Sequence, residues 1–209
     1  MNQINIRTYK KSDAKMIQDI IRETWKYDLF TSAKISKKLA KVYLYSCLSN
    51  QTYIRVATIH DMPIGIIMGK DINHYKSISL YKIKQFFSII SLNMSTEGRN
   101  ISKIFSKVSN IDKHLLSKSN KKYDGEVAFF AINKNYLGFG IGRKLFNELI
   151  IYMKKQKISY CFLYTDTSCN YQFYEHVGMK MVAEKLLDFN VKNYKNHMTF
   201  FLLDIELEE

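Results

Sequence analysis

Three glycines at alternate positions, Gly138, Gly140 and Gly142, stand inside the stretch GEVAFFAINKNYLGFGIGRKLF that runs over 125–146. The apolar run 127–132 reads as a buried strand, 133–135 as a polar turn, and a segment of helical period begins directly after the glycines. Strand, glycine loop and helix start in that order bring free backbone N–H groups and the positive end of a helix dipole to one point, which is an anion site. Glycine suits such a loop because a side chain would hold the anion away from the main chain. The expected ligand is a phosphate or pyrophosphate gripped by backbone.

A dinucleotide-binding unit also opens with glycines between strand and helix, but here the loop lies late in the chain, behind a full hairpin. The strand expected at 158–165 closes on Tyr164 and Thr165, with no acid placed for a ribose. A Walker loop fails on register, since Arg143-Lys144 is not GK[ST]. Together with the helix and strand after it, the loop resembles the coenzyme-A motif of the GCN5-related N-acetyltransferase (GNAT) superfamily, Q/R-x-x-G-x-G/A. That motif falls on Leu137-Gly138-Phe139-Gly140-Ile141-Gly142. Both motif glycines match. Leu137 replaces the family's Gln or Arg, which removes a polar side chain but leaves the backbone donors, and Arg143 and Lys144 supply charge beside them.

A second match lies at 170–179, where NYQFYEHVGM is similar to the family's late segment and Tyr174 takes the place of its tyrosine. The resemblance implies that Tyr174 points at the sulfur of coenzyme A and returns a proton to it. A phenol of pKa about 10 stays protonated at neutral pH and can donate to a thiolate of pKa about 8.5. Glu126, ahead of the apolar run, matches the glutamate that serves the histone-modifying branch as general base, directly or through water; an ammonium has no lone pair until such a base acts. The resemblance further implies that the pantetheine arm of acetyl-CoA, the co-substrate, lies along the backbone of Phe130, Ala131 and Ile132. The pyrophosphate would sit on the amides of Leu137, Gly138, Phe139, Gly140, Ile141, Gly142 and Arg143, and Asn170 would touch the arm from the other side. Nothing in the motif calls for a metal: no pair among the five histidines has ligand spacing. His176 reads as a surface residue. Cys169 lies near the expected thioester, but an acetyl-cysteine has little to recommend it.

The elements that must position these groups follow from periodicity. Residues 5–8 read as a short edge strand, and Ser12-Asp13 as the cap of a helix carrying Ala14, Ile17, Ile20, Ile21 and Trp25 at helical spacing. A second helix is expected over 36–48, then strands at 53–59 and 64–68 joined by a turn at His60-Asp61-Met62-Pro63. Segment 72–122 reads as two or three basic helices inserted between the third and fourth strands. Its clusters Leu80/Ile83/Phe86/Phe87/Ile90 and Ile101/Ile104/Phe105/Val108 make it a lid or a packing layer rather than a linker or a stacking platform. After the glycine loop come a helix at 142–155, a strand at 158–165, a short helix at 171–177 and strands at 179–189 and 198–205. The fold class is therefore α/β (α+β). The resemblance sharpens this to a mixed, mostly antiparallel sheet, split between strands four and five and flanked by helices.

A chain of 209 residues, 46% hydrophobic, has the material for one full core, so residues 1–209 are expected to form a single acetyltransferase domain. Three cysteines without CxxC pairing fit reduced thiols in the cytoplasm, and no apolar run is long enough for export or membrane spanning. Of the net charge of +13, +8 lies in 72–122, where ten Lys/Arg face only Glu97 and Asp112. Such a surface suits an anionic partner or a lysine-rich proteome alike, and it argues mildly against a polycationic acceptor. The resulting expectation is transfer of an acetyl group from acetyl-CoA to an amine of a small molecule or peptide by direct attack. The alternatives are a non-catalytic acetyl-CoA sensor or scaffold, and a basic nucleic-acid module, which is disfavoured because the insert's aromatics share their face with Ile and Leu. No membrane partner is expected, and a homodimer stays open.

Overall fold

A computed structural model describes residues 3–191 and 194–207. Seven strands form one sheet in the order β1-β2-β3-β4-β5-β7-β6. They are β1 (Asn5–Arg7), β2 (Tyr53–Ile59), β3 (Met62–Asp71), β4 (Gly125–Ile132), β5 (Tyr160–Asp166), β6 (Lys180–Val191) and β7 (Tyr194–Glu206). Every pairing is antiparallel except β4–β5, whose parallel register holds for only Gly125↔Cys161 and Glu126↔Phe162. Beyond Glu126 the two strands part, so the sheet is split where the motif reading places the cofactor.

Six α-helices cover the sheet: α1 (Ala14–Thr24), α2 (Ala33–Ser49), α3 (Ser79–Asn93), α4 (Thr96–Lys118), α5 (Ile141–Lys155) and α6 (Gln172–His176). Helix α5 buries Ile141, Leu145, Phe146, Leu149 and Met153 against one face, at the i, i+4 spacing of a single stripe. On the other face α1 and α2 pack over β2, β3 and β4 through Ile17, Ile20, Leu39 and Leu44. The expected insertion consists of α3 and α4, and α4 is a packing layer. Its first half places Ile101 against the α1–α2 core, and its second half places Ile111 and Leu115 against Phe162, Phe200 and Leu202 of β5 and β7. At 23 residues, about 35 Å long, it crosses the gap between the two halves of the sheet.

A bulge in β4 decides which way the strand's side chains face. Met68 pairs with Phe129 but Gly69 pairs with Val127, so Ala128 is an extra residue. Val127 therefore belongs to the α5 core while Phe129 and Ala131 belong to the α1–α2 core, although all three would share a face in a regular strand. Glu126, next to Val127, is carried to the α1–α2–α4 face.

Two local expectations are corrected. Ser12-Asp13 does not cap α1: the Asp13 carboxylate accepts from the Lys10 amide at 2.7 Å and from the Arg7 guanidinium at 2.8 and 2.9 Å, closing a 3-10 turn and clamping β1. The hairpin turn is His60-Asp61 alone, with φ of 48° and 61°, the left-handed pair of a two-residue turn. Met62 and Pro63 already lie in β3, and Pro63 is accommodated beside the register shift at Ala57/Thr58.

The turn from α3 into α4 depends on Gly98, whose amide donates to Ser95 Oγ at 3.1 Å. A Cβ there would meet the Leu92 carbonyl oxygen at 1.8 Å, a backbone clash that no rotamer relieves. Gly98→Ala should lower stability by about 1–3 kcal/mol in a denaturant melt, with α3 and α4 the first amides to lose hydrogen-exchange protection.

Candidate active site

The glycine loop has the conformation its sequence demands. Gly138 and Gly140 take φ of 84° and 74°, and a Cβ on either would meet nothing within 4 Å. These two glycines serve backbone shape and leave open space above the main chain. Gly142 has a different reason: a Cβ there would press on Ile132 Cδ1 at 3.1 Å and Phe173 Cε2 at 3.3 Å, so it lets α5 approach β4 and α6. The Leu137 amide is spent on the Lys134 carbonyl at 3.4 Å, but the amides of residues 138–143 bond no acceptor among the described residues. Six free N–H groups at the start of a 15-residue helix, with exposed Arg143 and Lys144 alongside, form the donor set for a diphosphate. Leu137 and Phe139 are exposed, while the Ile141 side chain is buried beneath the loop.

The split supplies the second element. The Asn133 amide donates to the Ile64 carbonyl at 2.8 Å, which fixes the parity of the β3–β4 ladder. Alternation turns the polar groups of Ala131 toward β3 and those of Phe130 and Ile132 toward the open edge. Of the three residues expected to hold a ligand's arm by main chain, Phe130 and Ile132 therefore offer free groups. Ala131 contributes its place in the strand. Tyr174, from α6, lies across this edge: its ring centroid is 6.1 Å from that of Phe130, and its neighbour Phe173 is 5.5 Å from Phe130. The Tyr174 hydroxyl makes no hydrogen bond among the described residues, and burial, then the nearby Cys169 and Asp166, raise its pKa above the ordinary value. Asn170 is exposed at the start of α6, where its carbonyl accepts from the Phe173 amide at 3.2 Å.

Glu126 faces the other side of the opening. Its carboxylate is 4.0 Å from the Lys70 ammonium, yet burial outweighs that partner and raises its pKa. Sequence reasoning missed two carboxyls that share its surroundings. Asp166 ends β5 and is buried, with its carboxylate accepting from the Ser168 amide at 2.7 Å, and burial raises its pKa. Asp112 belongs to α4, and burial first, then the negative fields of Asp166 and Glu126, push it up to about 7. Its sequence signal was its rarity, as one of two acids in a basic segment. Three carboxyls thus lie together on this side of the split, each held toward its neutral, protonated form by burial, where the insert's net charge suggests a basic surface. An aromatic cluster was also missed: Trp25 lies 5.0 Å from Tyr43 and stacks on Phe129 of β4 at 5.9 Å, while Tyr43 meets Phe129 edge-on at 5.5 Å. Cys169 lies close by as expected, but burial pushes its thiol up to about 12, which leaves it protonated and a poor nucleophile. His176 is exposed on α6, as a surface residue. Among the described residues no cluster of His, Cys, Asp and Glu could hold a metal ion, and no helix is long and apolar enough to cross a membrane.

A profile of the acetyltransferase (GNAT) family matches residues 16–179. No curated protein matches the chain by sequence. Among solved structures, an N-acetyltransferase from Staphylococcus aureus Mu50 is similar at 13% identity and a TM-score of 0.57, with 99% of each chain covered. PH1933 from Pyrococcus horikoshii OT3 is similar at 17% identity and a TM-score of 0.61, covering 99% of this chain and 100% of its own. YncA from Salmonella typhimurium, a putative acetyltransferase solved with its cofactor acetyl-CoA, is similar at 14% identity and a TM-score of 0.54, covering 100% and 96%. At these identities the likeness establishes the fold.

The raised Asp112 has a measurable consequence. Between its ordinary value of 3.8 and about 7 the folded protein holds a proton that the unfolded chain has released, so stability falls as pH rises through that window. Asp112→Asn should melt close to the parent at pH near 4 and clearly above it, by several degrees, near pH 8. Equal melting at both pH values would remove the buried-carboxyl account.

Proposed function

Because the chain belongs to the acetyltransferase (GNAT) family, we propose that it is an N-acetyltransferase acting in the cytoplasm as a single domain. It would pass the acetyl group of acetyl-CoA to the amine of a small molecule or peptide by direct attack. The observation that carries this reading is the convergence of three things at the β4–β5 split: six unbonded amides at 138–143, the open backbone edge at Phe130 and Ile132, and the phenol of Tyr174. The amides and Arg143 suit a diphosphate, the edge suits the amide groups of a pantetheine arm, and Asn170 stands where it can meet that arm from the α6 side.

Glu126, or a water it orders, takes the proton of the incoming ammonium, for which its raised pKa and position on the α1–α2–α4 face are suited. The amine nitrogen then forms its bond to the acetyl carbon. Backbone N–H of β4 carries the charge that develops on the carbonyl oxygen, and the carbon–sulfur bond breaks as Tyr174 gives its proton to the departing thiolate. No acyl-enzyme is needed, in keeping with the protonated thiol of Cys169. The carboxyls of Glu126, Asp112 and Asp166 lie together on the α4 side of the split and offer hydrogen-bond partners to an amine acceptor.

Acetyl-CoA at about 100 times its dissociation constant should stabilise the protein by about 2.7 kcal/mol in a thermal melt. Tyr174→Phe should keep that shift and lose roughly 10²-fold in turnover. A full-rate phenylalanine variant would remove Tyr174 from the chemistry. A melt unmoved by acetyl-CoA would remove the cofactor site, and a shift without transfer to any amine would identify a binding protein only.

The base has its own signature. Glu126 works deprotonated, so activity should be lost as pH falls through its raised pKa, above the ordinary 4.5. Glu126→Gln should lower kcat and abolish that acid limb; a limb retained in the variant would assign it to another group.

A further inference from the structure

Helix α3 buries Ser88 and Leu92, and Tyr81 beside them stacks on Tyr45 of α2 at 6.2 Å. On the outer side Leu80, Ile83, Phe86, Phe87, Ile90 and Met94 are each between 45% and 78% exposed. At about 3.6 residues per turn these six share an arc of about 120°, with Lys84 about 40° beyond one edge and Lys82 about 40° beyond the other. A second row of cations runs alongside. Lys34, Lys38, Lys41 and Tyr45 repeat along α2 at steps of four, three and four, one stripe of that helix. The packing of α2 on α3 sets this stripe beside the Lys84 edge: Lys38 Nζ donates to the Ser91 carbonyl at 2.5 Å, and the ammonium groups of Lys41 and Lys84 lie 5.9 and 5.7 Å from the Tyr45 ring centroid. There Lys38, Lys41, Lys84 and Phe87 line a cleft of about 500 Å³ to which no acid contributes. Neither α2 nor the whole of segment 72–96 contains an Asp or Glu, and the next acid, Glu97, accepts from Ser32.

We propose that α3 docks this protein on the surface of an anionic bilayer, lying in the plane of the interface with its apolar arc among the acyl chains and a lipid phosphate in the Lys38–Lys41–Lys84 cleft. Charge complementarity selects this occupant. The apolar arc is bordered by lysine on both edges, and no acid interrupts the cations on α2 and α3, which is the pattern of a helix held at a negatively charged interface. Lysine stems can follow the apolar ridge downward while their ammonium groups stay at the level of the phosphates. The ridge mixes two Phe with Leu, Ile and Met, so it suits hydrocarbon better than stacked bases. The expectation of no membrane partner rested on the lack of a spanning segment, and an in-plane helix needs none. Helix α3 packs outside α2, on the sheet face opposite α5, so docking leaves the loop amides at 138–143 uncovered. Membrane docking is thus independent of the reaction that the split supports.

The chain should co-sediment with vesicles of mixed phosphatidylglycerol and phosphatidylcholine and stay in solution with phosphatidylcholine alone. Because a net charge of +13 attracts any anionic surface, the decisive comparison is between variants that lose the same charge at different places. Lys41→Gln with Lys84→Gln should lower the partition coefficient roughly 10-fold or more, whereas Lys154→Gln with Lys155→Gln, at the end of α5, should leave it within about 2-fold. Phe87→Glu should abolish binding with an unchanged circular dichroism spectrum, since the side chain is exposed. A second arm needs no destabilising change. The emission of Phe87→Trp should be quenched by vesicles whose lipids carry bromine on the acyl chains, while that of the parent's Trp25, packed on Tyr43 and Phe129, should not. No partition at about 1 mM lipid, equal losses in the two lysine pairs, or an unquenched tryptophan at 87 would each overturn the proposal. A chain indifferent to vesicles that forms a dimer dissociated by Phe87→Glu would overturn it in favour of a second copy, and one that instead binds poly-uridylate through this face would overturn it in favour of nucleic acid.

Discussion

Two strands that pair for two residues and then diverge set the terms for the rest of this molecule. Between Gly125↔Cys161 and Glu126↔Phe162 the sheet is continuous; past them β4 has a neighbour on one side only. Backbone polar groups in the middle of a sheet need partners, and those of Phe130 and Ile132 find none within the strand set. The gap is held open because each bank is braced elsewhere, β4 by β3 and β5 by β7, and because Phe130, Phe173 and Tyr174 fill its lower part. The glycine loop then only has to deliver its amides to the end of an opening that already exists. The extra residue at Ala128 does the remaining work by turning Glu126 to the face opposite the helix that bears the loop.

The insertion, which looks like an appendage in the sequence, completes both the core and the opening. Without α4 the β5–β7 half of the sheet would expose Phe162, Phe200 and Leu202. Its two acids each have a specific place. Glu97 accepts from the Ser32 amide and hydroxyl, both at 2.8 Å, tying the start of α4 to the start of α2, and Asp112 sits over the split. The lysines spread around them set the net charge, and that charge says little about the environment a ligand meets.

The shape of the glycine loop and the short helix α6 were legible because each depends on local backbone geometry: left-handed residues at 138 and 140, a helix beginning at 141, a chain reversal at Gly178 with φ of 95°. Strand β2 was read to the residue, and the insert was recognised as helical from its apolar spacing. What stayed hidden depends on residues far apart in sequence. The bulge at Ala128 arises from register with β3, so alternation alone misassigns the faces of β4. Asp112 and Asp166 come together only because α4 crosses above β5, and no spacing encodes that. The Asp13 carboxylate was read as a helix cap because the partner that claims it, Arg7, lies on the preceding strand.

Helix α4 is fastened on both banks of the opening, by Glu97 and Ile101 on one side and by Ile111 and Leu115 on the other. It therefore behaves as a strut. Spreading the strands further would have to tear one of these anchorages or bend a continuous helix, and either is costlier than swinging a loop. The width of the split is consequently set by a continuous rod, and a ligand entering it meets banks whose separation is already fixed.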